Sequence, residues 1–144
     1  MTTLTRTADA PSFAIPAPGT AARWAARILT GLVVTFLAFD SIIKVLQLAP
    51  AMESAPTLGL PAGMIPVIGW IGLACLALYV VPRTAPLGAV LWTGYLGGAI
   101  ATHARLDQPL FTHTLFPIYV AALLWLPLWL RDARVRALTS AARR

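Results

Sequence analysis

Charged residues are scarce in this sequence, and hydrophobic residues are abundant. Only 11% of its 144 residues are Asp, Glu, Lys or Arg, whereas 58% are hydrophobic. A soluble domain carries roughly 25% charged residues, so the composition excludes an ordinary soluble enzyme or binding module. We therefore predict an integral membrane protein whose main partner is the lipid bilayer.

Cysteine is nearly absent as well, since Cys75 is the only one. One thiol excludes an intramolecular disulfide and a cysteine-based metal site, and its apolar surroundings predict a packed core residue. Two histidines without carboxylate or thiolate neighbours at a fixed spacing do not define a zinc or haem site. The sequence predicts no catalytic residue, no metal and no cofactor, with a quinone left open. Enzymatic activity also stays open, and a non-catalytic role is favoured.

Acidic residues are few, and five Asp and Glu against 11 Lys and Arg give a net charge of +6. A basic protein can bind nucleic acid, but most of these arginines lie at the chain ends and between apolar segments. They do not form one basic face with interleaved aromatic residues, so nucleic acid is not predicted as a partner. Orientation in a membrane explains their distribution better.

Four apolar segments follow one another along the chain, each near the roughly 17–25 residues that a tilted transmembrane helix needs. The sequence predicts an all-α, four-helix transmembrane bundle over residues 23–132. A disordered tail is expected at 1–22 and a basic cytoplasmic tail at 133–144. The predicted spans are residues 25–48, 64–81, 86–102 and 114–130.

The basic residues also predict how the chain is oriented. With four spans, nine of the 11 basic residues fall on one side, and only Lys44 and Arg105 fall on the other. Lys and Arg are in excess on the cytoplasmic side of membrane proteins. Both termini are therefore predicted to be cytoplasmic.

The remaining polar residues gather on the opposite side. Asp40 and Lys44 are one helical turn apart and can pair along one face of the first span. His103 should lie at a depth similar to that of Lys44. The candidate polar cluster consists of Asp40, Lys44, His103, Arg105, Asp107 and His113. For Asp40 and Lys44, a structural ion pair is favoured over a proton or ligand site, and the latter stays open because charges within a membrane are often functional.

Small residues one turn apart mark a helix-packing face on the third span. Gly94-xxx-Gly98, with Gly97 beside it, would let a second helix backbone approach closely in lipid. The partner is either another helix of this chain or a second subunit. Glu53, which lies among prolines between the first two spans, is expected to be a solvated charge in a loop.

Several phrases spread over about residues 25–138 form a specific combination. They are LYVVPRT at 78–84, LGAVLWTGYLGGAIATHAR at 87–105, Asp40-xxx-Lys44, LGLP at 58–61, PLFTH at 109–113 and WLPLWLRD at 125–132. The combination resembles the DoxX-like family of small bacterial membrane proteins. The resemblance implies a multi-pass, four-helix protein of the bacterial inner membrane, in a family mostly without an assigned activity. The family's name is shared with a distantly related archaeal subunit associated with thiosulfate:quinone oxidoreduction, but no motif for that chemistry is present.

Three functions stay open at this point. The first is a non-catalytic subunit or scaffold, serving a quinone-linked redox complex or forming a homo-oligomer. The second is a small proton-coupled transporter in which Asp40 would titrate beside Lys44. The third is a quinone- or haem-binding oxidoreductase using His103 and His113.

Overall fold

The computed structural model describes residues 19–141, with side chains as far as residue 138. Most of the predicted N-terminal tail, residues 1–18, lies outside the described residues, as do residues 142–144. The described chain is all-α. Its helices are α1 (Thr20–Val45), α2 (Ala49–Thr57), α3 (Met64–Val80), α4 (Ala85–Arg105), α5 (Phe116–Arg131) and α6 (Ala133–Ala141), with one π-helical turn at Leu110–Thr114 before α5.

The observed helices differ from the predicted segments at several places. Helix α1 begins at Thr20, inside the predicted tail, α4 continues to Arg105, α5 begins only at Phe116, and Ala133–Ala141 of the predicted C-terminal tail form α6.

The first helix ends at Val45 rather than at residue 48, because Gln47 adopts a φ of 53° and turns the chain into α2. The segment around Glu53 is helical, so the prediction of a loop there was wrong. Pro50 lies in the first turn of α2, where a missing backbone N–H breaks no helical hydrogen bond.

Within residues 19–141, two helices are long and apolar enough to cross a membrane. They are Thr20–Val45 and the segment Leu110–Arg131, and Met64–Val80 is a shorter apolar helix. Helix α4 has 21 residues, but its glycines and polar side chains dilute its hydrophobicity.

The four long helices pack in a ring. α1 contacts α3 and α5, and α4 contacts the same two helices from the opposite side. Trp92 and Tyr79 are fully buried at the centre together with Leu37 and Leu124. The Tyr79 hydroxyl donates a hydrogen bond of 2.8 Å to the Leu124 carbonyl, which ties α3 to α5 and satisfies a polar group that would be costly to bury alone.

Glycines set how closely α3 approaches its two neighbours. A Cβ added to Gly72 would lie 2.5 Å from the Ser41 hydroxyl of α1. On the other side of α3, a Cβ added to Gly88 of α4 would collide with the backbone nitrogen of Tyr79. Real Cβ atoms essentially never lie within 3.0 Å of such a neighbouring atom, so both contacts depend on the absence of a side chain at these glycines.

The glycines predicted from the sequence to form a packing face do not lie at these close helix contacts. A Cβ at Gly94, Gly97 or Gly98 would have no atom within 4 Å apart from the backbone of its own helix and its chain neighbours. Among the described residues, then, no helix of this chain packs closely on that face. A second subunit remains the other partner predicted from the sequence.

One end of the helix ring is fastened by Asp132 and Arg134. The Asp132 carboxylate accepts a 2.8 Å hydrogen bond from Arg134, whose guanidinium also donates to the Pro82 carbonyl at 2.9 Å. These bonds join the start of α6 to the turn between α3 and α4. The hydrogen bonds from Arg134 also lower the pKa of Asp132, so its carboxylate form is favoured.

Alanine substitutions should have opposite effects at the closely packed glycines and at the glycines with open space around them. We expect Gly88→Ala to lower the stability of the detergent-solubilised protein by about 1–3 kcal/mol, because the new methyl group forces two helix backbones apart. Gly94→Ala is the matched control and should be neutral or stabilising, since alanine favours helices over glycine by about 1 kcal/mol. Thermal unfolding followed by circular dichroism measures both. Equal melting temperatures for the two variants would contradict the close α3–α4 contact.

Candidate functional site

A groove with a volume of about 320 Å³ opens at the end of the ring where α2 lies. Ile65 and Ile68 of α3 give it an apolar wall, and Leu60 lies beside them. Lys44 of α1 and two polar residues of α4, Tyr95 and His103, also line it. The groove thus combines an apolar surface with hydrogen-bonding groups from two helices.

Lys44 is the link between α1 and α4. Its ammonium group forms an ion pair with the Asp40 carboxylate, one turn earlier on α1. It also donates a hydrogen bond of 3.3 Å to the Tyr95 hydroxyl, and it lies 5.8 Å from the centre of the Tyr95 ring. The side chains of Lys44 and Asp40 keep 23% and 31% of their surface exposed, so the pair stands at the open groove rather than sealed in the core.

The absence of a side chain at Gly69 of α3 determines the position of Lys44 on α1. A Cβ at Gly69 would lie 2.9 Å from the Lys44 Cβ and 2.8 Å from the backbone nitrogen of Val45. The missing side chain therefore lets α3 pass directly beside the Lys44 backbone. As a result, the lysine side chain can reach across to Tyr95 on α4.

His103 is held at the groove by its partner Gln108. Its Nδ1 lies 2.8 Å from the Gln108 amide oxygen. Because an amide carbonyl oxygen only accepts hydrogen bonds, Nδ1 is the donor in this contact. The ring centre of His113 lies 6.0 Å from that of His103, in an edge-to-face contact.

The predicted polar cluster divides into two groups. Asp40, Lys44 and His103 lie at or beside the groove. Arg105 instead donates a 3.3 Å hydrogen bond to the Leu58 carbonyl and so holds the end of α4 to the segment after α2. Asp107 and His113 lie beyond α4, Asp107 with a φ of 51° in the turn that ends the helix and His113 in the exposed π-helical turn.

Three polar residues near this site were not predicted from the sequence. Tyr95 was not recognised because it falls inside the apolar run of α4, and no pattern in the sequence links it to Lys44. Its ring packs edge-on against Trp92, 4.7 Å between centres. Ser41 Oγ and Trp92 Nε1 are buried, and neither has a hydrogen-bond partner in the described part of the chain. No group of three His, Cys, Asp or Glu side chains that could hold a metal ion occurs among the described residues.

This protein is an α-helical membrane protein. Its long apolar helices indicate this class, and so does its match to a known family of membrane proteins. The profile of the DoxX-like family matches residues 28–127. The chain belongs to that family, as its sequence phrases predicted. The match covers α3 and α4 in full and most of α1 and α5, and it includes every described residue that lines the groove. No curated protein and no solved structure matches the chain.

The ion pair can be tested by a double-mutant cycle. Asp40→Asn and Lys44→Met should each destabilise the protein more than the double change does, because each single change strands one charge in apolar surroundings. We expect a coupling energy within about 0.5–3 kcal/mol. Melting temperatures in detergent provide the measurement.

Glu53→Gln is the control for loss of a carboxylate, since Glu53 is exposed on α2. This control should unfold like the parent protein. Additive effects of Asp40→Asn and Lys44→Met would show that the two charges do not stabilise one another.

Proposed function

We propose that the chain is a four-span protein of the bacterial cell membrane, with α1, α3, α4 and α5 crossing the bilayer as a four-helix bundle and both termini in the cytoplasm. The closed ring of four long helices supports this proposal. The distribution of charge also supports the proposal, because Lys44 and Arg105 are the only described Lys or Arg residues at one end of the ring. The described basic residues at the other end are Arg23, Arg27, Arg83, Arg131, Arg134 and Arg136.

Within that arrangement, we propose a non-catalytic subunit or scaffold that holds a quinone headgroup for a quinone-linked redox complex. The observation that carries this proposal is the groove, where hydrogen-bonding groups meet an apolar wall. Lys44 donates to the Tyr95 oxygen, so the phenolic hydrogen is left for an acceptor in the groove. Quinone carbonyls accept hydrogen bonds, and a quinone ring and its tail are apolar. The residues present therefore fit a quinone.

A docking face for a partner supports the role of a subunit. Gly94, Gly97 and Gly98 are exposed, with open space where a side chain would be. Exposed small residues let a second membrane helix approach closely. Gly98 also lines the groove, so a docked helix would lie next to the bound molecule. The partner is either a second copy of this chain or a subunit of the redox complex.

A second candidate function is proton-coupled transport. It is favoured by the part-exposed Asp40–Lys44 pair beside the groove, because such a carboxylate can exchange a proton with a passing substrate. Under this alternative, Asp40→Asn would abolish proton movement in liposomes that contain a pH-sensitive dye. Under the quinone proposal, the liposomes show no such flux.

Quinone binding provides the direct test. A short-tailed benzoquinone should quench the tryptophan fluorescence of the purified protein in a saturable way, since Trp92 packs against Tyr95. Tyr95→Phe should weaken binding about 3–10-fold, which corresponds to one hydrogen bond of about 0.5–1.5 kcal/mol. Tyr119→Phe is the matched control, because Tyr119 is exposed on α5 and does not line the groove. Equal affinities of the two variants, or quenching that never saturates, would contradict the proposal.

A further inference from the structure

A large cavity lies at the opposite end of the molecule from the groove. Its volume is about 720 Å³, and it opens between α1 and the ends of α3 and α5. Three arginines line it, Arg23 and Arg27 from α1 and Arg131 from α5. No acidic residue is among the described residues that line the cavity. An anion would therefore meet positive charge on two walls.

Aromatic rings, rather than carboxylates, hold two of these arginines. The Arg27 guanidinium carbon lies 5.3 Å from the centre of the Trp24 ring, and that of Arg131 lies 5.6 Å from the centre of the Tyr79 ring. A ring occupies the face of a guanidinium and leaves its N–H edge able to donate. The neighbouring carboxylate, Asp132, is engaged by Arg134.

Apart from Thr30, whose hydroxyl donates to the Ala26 carbonyl within α1, the rest of the cavity is apolar and runs along α1 away from the arginines. Gly31 and Val34 lie one and two turns beyond Arg27, and Val80 lines the cavity from α3. A Cβ at Gly31 would have no neighbouring atom within 4 Å, so this position leaves room along the helix. The cavity thus has a cationic mouth and an apolar floor.

We propose that this cavity binds an anionic phospholipid, with the phosphate at Arg23, Arg27 and Arg131 and an acyl chain along Gly31 and Val34. Guanidinium groups bind phosphate oxygens through paired, charge-assisted hydrogen bonds. Basic pockets between membrane helices suit the head groups of anionic lipids. The apolar floor favours a lipid over free phosphate, which shares the same head-group chemistry. The site is separate from the groove and shares with the proposed function only its place in a membrane.

The test titrates the detergent-solubilised full chain with short-chain phosphatidylglycerol and measures the affinity from the rise in melting temperature. Phosphatidylcholine with the same chains and inorganic phosphate should produce no comparable rise. Arg27→Gln and Arg131→Gln should each weaken phosphatidylglycerol binding about tenfold, as expected for a lost charge-assisted contact. Arg83→Gln removes one arginine at the same end but outside the cavity and should leave the affinity unchanged.

Gly31→Leu separates a lipid from a free anion. Its side chain would extend into the open space beside α1 and should weaken phosphatidylglycerol binding without lowering the melting temperature of the lipid-free protein. Equal stabilisation by inorganic phosphate, or an equal response to phosphatidylcholine, would overturn the lipid assignment. So would equal losses in Arg27→Gln and Arg83→Gln. Benzoquinone binding by Arg27→Gln should stay at the parent level, so a failure at this cavity is distinguishable from a failure at the groove.

Discussion

The close approach of α3 to its two neighbours is the constraint on which the rest of the structure depends. Gly69 and Gly72 let α3 lie against α1, and Gly88 lets α4 lie against α3. With larger residues at these positions the helices would separate, and Lys44 on α1 would no longer reach Tyr95 on α4. Backbone packing thus places the polar groups of the groove, as expected where van der Waals contact holds membrane helices together.

Many large hydrophobic side chains are exposed on the outside of the helix ring. Ile28, Leu32 and Phe39 of α1 are exposed, and so are Ile71 of α3 and Leu123 of α5. A surface of this kind suits a hydrocarbon solvent, because burying these side chains in lipid removes apolar area from water. Polar groups are concentrated at the two ends, in the groove at one and in the arginine-lined cavity at the other.

Much of the fold could be predicted from hydropathy, because a long apolar helix requires a long run of apolar residues in the sequence. Helix α2 could not, since Pro50 and Pro56 indicate a loop unless their places in the first and last turns are known. The glycines that pack against neighbouring helices of this chain could not be picked out from the sequence for a related reason. The spacing of Gly94 and Gly98 predicts a close contact, but which glycine meets a neighbour depends on how the helix is rotated, and spacing alone does not give that rotation.

The candidate site could likewise be predicted only in part from the sequence. Asp40 and Lys44 could be paired from the sequence, because residues four apart share one helix face. Tyr95 could not be added, since it comes from another helix and its position depends on the packing of α3. Asp107 and His113 were grouped with the site because they lie in the segment after His103. The chain turns at Asp107 and carries both beyond the end of α4, where the His113 ring contacts that of His103.

The central claim is that four helices cross the membrane with the arginine-rich end inside, and labelling of intact cells tests it most directly. Single cysteines in a Cys75→Ser background would replace Arg83, in the turn between α3 and α4, or Phe111, which is exposed beyond α4. A membrane-impermeant maleimide should label the cysteine at position 111 in intact cells and the one at 83 only after permeabilisation. The reverse pattern would invert the orientation, and identical labelling of both positions would contradict a membrane crossing by α4.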